Sequence, residues 1–317
     1  MEKYVQVPIP HLMRYQQDFH FCEIYIRLSE EKFIKLTQKE DGYADTLTRY
    51  ANKGLTEIYL LREDFQAVFS KMKNKMADPK FPGANVKPAQ KVEILSDSLK
   101  MAKDCLSHFG VNEEAMDVCK KVSDQGLKMV KEKGNIFKFL KDFQNNCGSE
   151  FKVAIATSHM MTLVIDLFMW KSLSIKEKAS MAAILCDVTL KAEDFEILKK
   201  CGAQWDKLPE HIFKHPINVA AMLTAKRDLV AAETITIIEQ HHELPDGTGF
   251  PYKHSHQRIT QLSAIFIVCH DFIERLNDCD FDYSKQEEIL TELFNYYDVG
   301  TYAKAFESLY KVAKIPK

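Results

Sequence analysis

The sequence predicts an α+β protein: a small α/β N-terminal domain followed by an all-α helical bundle. Two observations carry this. Up to residue 78, alternating runs rich in β-formers are interleaved with helical ones, whereas beyond residue 83 nearly every apolar run has three- and four-residue spacing. Between the two stretches, residues 77–83 (ADPKFPG) carry two prolines and a glycine and make the best linker. The domains expected are therefore 1–83, a regulatory or interaction domain; 84–150, connecting helices; and 151–317, the helical domain that holds the chemistry.

In order, residues 21–28 alternate as a half-buried strand does, and 32–36 form a second strand paired with it through Ser29-Glu30-Glu31. Residues 43–51 read as a helix stopped near Gly54, residues 57–61 as a third strand, and 63–72 as a helix. Helical periodicity then marks 89–109, 113–133, 136–145, 151–170, 176–187, 192–201, 209–223, 231–242, 261–276, 285–297 and 302–312. There is no internal repeat and no low-complexity tract.

With 317 residues and a formal net charge of −2, the chain is not a general nucleic-acid binder, although a local basic pocket for a small anion stays open. Its eight cysteines (22, 105, 119, 147, 186, 201, 269 and 279) form no CxxC pair, and such dispersed thiols suit a reducing compartment. The first fifteen residues lack the apolar core of a signal peptide, and no apolar run is long enough to span a bilayer. A cytoplasmic protein that binds neither DNA nor membrane is the simplest reading.

The chemistry concentrates at His241-His242-Glu243-Leu244-Pro245-Asp246-Gly247-Thr248-Gly249-Phe250-Pro251. Two adjacent imidazoles, roughly 100° apart on a helix, can grip one metal or two neighbouring ones, and an acidic glycine turn redirects the chain beside them. His159, Asp187, His215 and the pair His270-Asp271 also stand at or near helix ends. Imidazole and carboxylate suit iron, manganese or zinc. Singly, each has a plainer explanation: a surface or core histidine, a capping Asp, or in His215-Pro216 a helix boundary.

As a set, these residues resemble the HD-GYP family of the HD superfamily. Its hallmark HHExxDGxGYP reads HHELPDGTGFP here, with Phe250 in place of tyrosine. Asp187 precedes His215 by 28 positions and His215 precedes His241 by 26, both intervals agreeing with the family pattern. The resemblance covers residues 150–300. It implies an HD-type bundle with two divalent metal ions, iron first with manganese or zinc as alternatives, that hydrolyses cyclic di-GMP or a related cyclic dinucleotide by hydroxide attack on a phosphodiester. Asp187 resembles the bridging, catalytic carboxylate. His215, His241 and His242 resemble ligands of one metal, and His159 a ligand of the other. Asp271 resembles the last carboxylate ligand; a gapless alignment puts His270 there, but the acid and the apolar residues after it favour Asp271. Phe250 falls at a substrate-binding position. Asp246, Gly247 and Gly249 shape the turn, and Glu243 either supports a ligand imidazole or is a solvated helix-end acid.

Departures from the pattern temper the activity this implies. The histidine of the signature His-Asp pair is Cys186, either a thiolate ligand or a small buried apolar residue. Leu190 occupies the family lysine's position, leaving Lys191 beside it, or Lys253, as replacements. Ile155 stands where three-metal members carry Glu, which favours two metals. Asp278, Asp280 and Asp282 form an acidic stretch where basic residues are usual. Three readings follow: a divergent cyclic di-GMP phosphodiesterase; a catalytically weak or inactive metal-binding sensor whose N-terminal domain meets a protein partner; and di-iron redox chemistry. The long helices of 84–150 either support a homodimer or pack on the bundle.

Overall fold

The computed structural model describes residues 3–14, 22–29, 32–37, 43–76, 86–134, 136–143, 147–202 and 204–314. It divides into two compact units, Met1–Ala84 and Asn85–Lys317. The breaker at 77–83 and the turn residues Glu30 and Glu31 lie outside the described residues.

The first unit is a four-stranded antiparallel sheet with helices. Its strands are β1 (Tyr4–Pro8), β2 (Ile24–Arg27), β3 (Phe33–Thr37) and β4 (Glu57–Leu61), in spatial order β1-β4-β2-β3. Strand β1 was not expected. It is five residues long and ends in proline, yet Val5 and Val7 are buried and alternate with the outward Tyr4 and Gln6, opposite Leu60 and Ile58 of β4. Helix α1 is Ile9–Arg14, α2 is Tyr43–Ala51 and α3 is Arg62–Met76. The last buries Phe65, Val68, Phe69, Met72 and Met76, a single helical stripe.

The second unit is helical. Its helices are α4 (Pro88–Phe109), α5 (Glu113–Lys133), α6 (Ile136–Phe143), α7 (Ser149–Ile165), α8 (Leu173–Leu185), α9 (Ala192–Cys201), α10 (Glu210–Phe213), α11 (His215–Thr224), α12 (Ala232–Gln240), α13 (Gln261–Asp278), α14 (Gln286–Tyr297) and α15 (Gly300–Ala313). Side-chain caps start several of them: Asn112 accepts from the Ala115 amide, Ser172 from Ile175 and Thr260 from Ser263. Helices α4 and α5 lie inside this unit. Gly126 of α5 leaves room for the Ile155 side chain of α7, where a Cβ would collide with it, so Ile155 is a fully buried packing residue.

Two expected helices are cut short for identifiable reasons. The run at 151–170 stops at Ile165, because the apolar residues that lengthened it, Leu167, Met169 and Trp170, are exposed in a turn. The run at 209–223 breaks between Phe213 and His215, where Pro216 starts a new helix without needing an amide donor. No helix among the described residues is long and apolar enough to cross a membrane.

Candidate metal centre

Four chain segments deliver the polar residues of the bundle's interior. Helix α8 ends at Leu185, so Cys186 and Asp187 emerge at its C-terminus. His215 opens α11, and His241-His242 directly follow α12, whose buried Thr234, Ile235, Ile237 and Ile238 fix its rotation. His270 sits in the middle of α13. Ligand-capable atoms of Asp187, His215, His241 and His242 all lie within 4.8 Å of one another, and those of Cys186, Asp187 and His270 form a second such group. Asp187 belongs to both.

The hydrogen bonds define what the imidazoles present. His215 Nδ1 donates to the Ile212 carbonyl at 2.5 Å, and His241 Nδ1 to the Ile238 carbonyl at 2.6 Å. A carbonyl only accepts, so both protons sit on Nδ1 and both Nε2 atoms carry lone pairs. Those two lone pairs face each other at 3.1 Å, 3.2 and 3.6 Å from Asp187 Oδ1. Between neutral rings that arrangement is repulsive; a cation among them makes it attractive. His242 Nε2 is buried without a hydrogen-bond partner, the kind of orphan a metal would satisfy. Burial would raise the Asp187 carboxyl, but the rings of His215 and His241 beside it prevail, and it lies well below the usual carboxylate range. Burial, reinforced by the neighbouring rings, pushes His242 well below an ordinary histidine, so it is neutral and ready to donate its lone pair. Imidazoles anchored through Nδ1 around an ionised carboxylate fit a metal.

On the other side, His270 Nδ1 lies 3.4 Å from Glu274 one turn along α13, and the ring stacks on Phe266 with centroids 5.3 Å apart. Burial lowers the His270 pKa, but Glu274 overrides it and brings it up to about 9. A carboxylate on Nδ1 leaves Nε2 for a metal. The Cys186 thiol donates to Asp187 Oδ2 at 3.3 Å; burial, then the adjacent carboxylate, push its pKa well above the ordinary thiol value. A bound cation reverses that logic and deprotonates a coordinating thiol.

Several sequence expectations change here. Asp271 is turned away: its Oδ1 takes the Arg275 guanidinium at 2.6 Å and its Oδ2 the Tyr297 hydroxyl at 2.8 Å. One step along a helix is roughly 100°, and it is His270 that faces Asp187. His159 is half-buried on α7 but not among the converging side chains. The cavity-lining residues of α7 end at Ala154, and five further residues bring the helix roughly 140° round. Lys191 is an exposed N-cap whose amide donates to Asp194, and neither it nor exposed Lys253 reaches the cavity. Phe250, expected at the substrate, is fully buried. It stacks on His242 with centroids 4.4 Å apart and belongs to an apolar cluster with Leu190, Leu208 and Ile212. Glu243 is fully buried rather than solvated, and its two oxygens accept the Tyr252 and His254 amides, both at 2.7 Å.

The turn residues do shape the turn. Asp246 Oδ1 accepts the Thr248 amide at 2.9 Å and its hydroxyl at 2.7 Å, and Gly247 has φ 78°, a left-handed conformation favouring glycine. At Gly249 a Cβ would strike the backbone of His242, Glu243 and Leu244, because the Phe250 amide closes back onto the His242 carbonyl at 3.1 Å.

A cavity of about 610 Å³ opens onto Asp187, His242 and His270. Of the acidic stretch expected around it, Asp278 reaches the cavity and pairs there with Lys199 at 2.6 Å, while Asp280 and Asp282 do not line it. The residue that sequence reasoning missed is Lys103, buried on α4 in the same cavity. Its signal was available only as a lysine within an otherwise apolar helical stripe.

No family model matches the chain. Over 92 residues, 29% of this chain, it is 34% identical to the cyclic di-GMP phosphodiesterase PA4108 of Pseudomonas aeruginosa; the match spans 22% of that protein's length. The fold of Bd1817, an HDG"Y"P protein from Bdellovibrio bacteriovorus, superposes with a TM-score of 0.56 over 98% of this chain and 100% of that one, at 16% identity. The HHELPDGTGFP stretch agrees with both likenesses: the chain is similar over part of its length to a cyclic di-GMP phosphodiesterase and shares its fold with an HD-GYP-type protein.

Proposed function

We propose that the chain is a metal-dependent phosphodiesterase of cyclic di-GMP signalling with a two-metal centre bridged by Asp187. The observation that carries this reading is the lone-pair arrangement: the Nε2 atoms of His215 and His241 face each other at 3.1 Å beside an ionised Asp187, with the Nε2 of His242 unpartnered. His215, His241, His242 and Asp187 form one seat. Cys186, His270 and Asp187 form the other, with His270 in the role first given to Asp271. A thiolate in the second seat favours iron or zinc over manganese. Two divalent ions bound there would supply Lewis acidity for attack of water on a phosphodiester and neutralise charge on its oxygens.

The chain's own residues do the positioning. Ile212 and Ile238 carbonyls orient two rings, Phe250 braces a third, and Glu274 orients His270. The cavity volume falls within the range of small-molecule sites, and Phe195 and Trp205 on its wall offer apolar faces for a base. The relative named for cyclic di-GMP cleavage supports that substrate class.

A second reading, a metal-binding sensor with little turnover whose N-terminal unit meets a protein partner, draws support from one observation. Leu190, at the family lysine's position, is packed in the apolar cluster and offers no charge to the site. Anaerobic loading with iron, followed by metal analysis and product separation after incubation with cyclic di-GMP, tests both. Bound metal with linear or mononucleotide product supports the enzyme; bound metal with uncleaved substrate leaves the sensor; absence of metal sinks both.

A further inference from the structure

Lys103 is the one buried lysine among the described residues. Ser96, Leu99, Lys100 and Lys103 of α4 all line the cavity, the i, i+3, i+4, i+7 spacing of one helix face. Four residues on, the Ser107 hydroxyl donates to the Val188 carbonyl at 2.9 Å, locking α4 against the residue that follows Asp187. Lys103 is thus one helical turn from a fixed contact with the metal-centre segment, although α4 lies outside the stretch that resembles the family.

Burying an ammonium is costly unless it is paired. Glu150 supplies one partner at 3.3 Å, and its side chain is 39% exposed, a weak compensation for a group with three donors. Asp187 lies close enough for its charge to act on it. The other cavity lysines are committed or exposed: Lys199 pairs with Asp278, and Lys100 stands at the surface. Three lysines and five carboxylates line the cavity, a formal charge of −2 with its histidines neutral, as metal ligands are. Two divalent ions, each adding two positive charges, invert it and make the cavity an anion site.

We propose that Lys103 is the cation that holds a phosphate oxyanion of the substrate against the metal centre, replacing from helix α4 the lysine absent at Leu190. The assignment rests on the metal-centre reading, deepens it, and makes α4 part of the active site. Lys103 donates to a non-bridging oxygen while remaining anchored to Glu150, and contributes binding and orientation without exchanging a proton.

The test uses the full chain with inorganic phosphate as probe, titrated calorimetrically, with metal content and melting temperature measured on the same samples. Lys103→Met should keep metal content and weaken phosphate binding about tenfold or more, the scale of one charge-assisted contact. Lys103→Arg should recover most of that loss. Glu150→Gln keeps the ammonium and removes its competitor, so phosphate binding should hold or tighten, a check that survives if Lys103→Met folds poorly. Unchanged phosphate affinity in a folded Lys103→Met protein, or a tenfold loss in Glu150→Gln, overturns the assignment. Metal content reports separately on the centre: a wild-type chain that retains no metal defeats that reading and this assignment with it, whereas a metal-loaded chain whose Lys103→Met variant binds phosphate unchanged defeats the assignment alone.

Discussion

The two seats that meet at Asp187 are held in different ways. On the three-histidine side, each of two rings is tied to a backbone carbonyl three residues before it, and the third ring is braced by buried Phe250. Those anchors are local, so the side chains are pre-aimed wherever the helix ends form. On the Cys186–His270 side, the orienting group is Glu274, a side chain 49% exposed, and the ligands come from separate helices. Both seats gather ligands from separate helices, but two rings of the first are aimed by backbone carbonyls and the His270 ring of the second by a half-exposed side chain. The departures follow this difference: the three-histidine seat matches the HD-GYP pattern, while Cys186 in the other seat departs from it.

The largest expected effect belongs to the shared residue. Asp187→Ala removes a donor from both seats at once, leaving three imidazoles on one side and a thiol with one imidazole on the other. Metal content measured by mass spectrometry should fall from about two ions per chain to below one. Retention of both ions would show that the seats are independent and that Asp187 bridges nothing.

Next in size is the asymmetry itself. Cys186→Ala should cost one equivalent of metal and leave the histidine seat filled. Cys186→His should keep both equivalents and shift preference from zinc toward iron or manganese, because a softer donor is exchanged for a borderline one. Unchanged stoichiometry and affinity in Cys186→Ala would demote that thiol to a packing residue.

The turn that follows the histidines gives a stability test. Gly249→Ala forces a Cβ into the backbone of His242–Leu244 and should cost about 2–4 kcal/mol in denaturant unfolding of metal-free protein. Glu243→Gln keeps the shape but loses charge-assisted bonds to two amides, at about 1–3 kcal/mol. If neither changes unfolding, the turn is not what pre-aims the histidine seat.

Legibility in the sequence follows the same division. Helices with clear periodicity and capping residues, such as Glu113–Lys133 and Ala192–Cys201, were readable to the residue. Strand Tyr4–Pro8 was not, because a five-residue alternation carries little signal without its partner β4. In the site, intervals found Asp187, His215 and the histidine pair, since their anchors are local. Interval matching could not choose between His270 and Asp271, which differ by one step of helix rotation, nor reach Lys103, whose relation to Asp187 exists only after α4 docks through Ser107. Glu243 was misjudged because its amide partners, at 252 and 254, lie across a turn that spacing alone does not close.

The smallest effect concerns the two departures that sit together. Leu190 and Phe250 stand where the HD-GYP pattern carries lysine and tyrosine, and both belong to one buried apolar cluster. That makes them one coordinated exchange of a polar pair for an apolar one, a swap that is often neutral when both members change and costly when one does. Phe250→Tyr alone places a hydroxyl among Trp205, Phe213 and Ile212 and should cost about 1–2 kcal/mol with metal content unchanged. Leu190→Lys alone should cost more, because it buries a charge. The double variant should be more stable than the sum of the two losses predicts, by about 0.5–2 kcal/mol in a double-mutant cycle read by denaturant unfolding. Strict additivity would mean that the two positions diverged separately, and that Phe250 braces His242 without reference to Leu190.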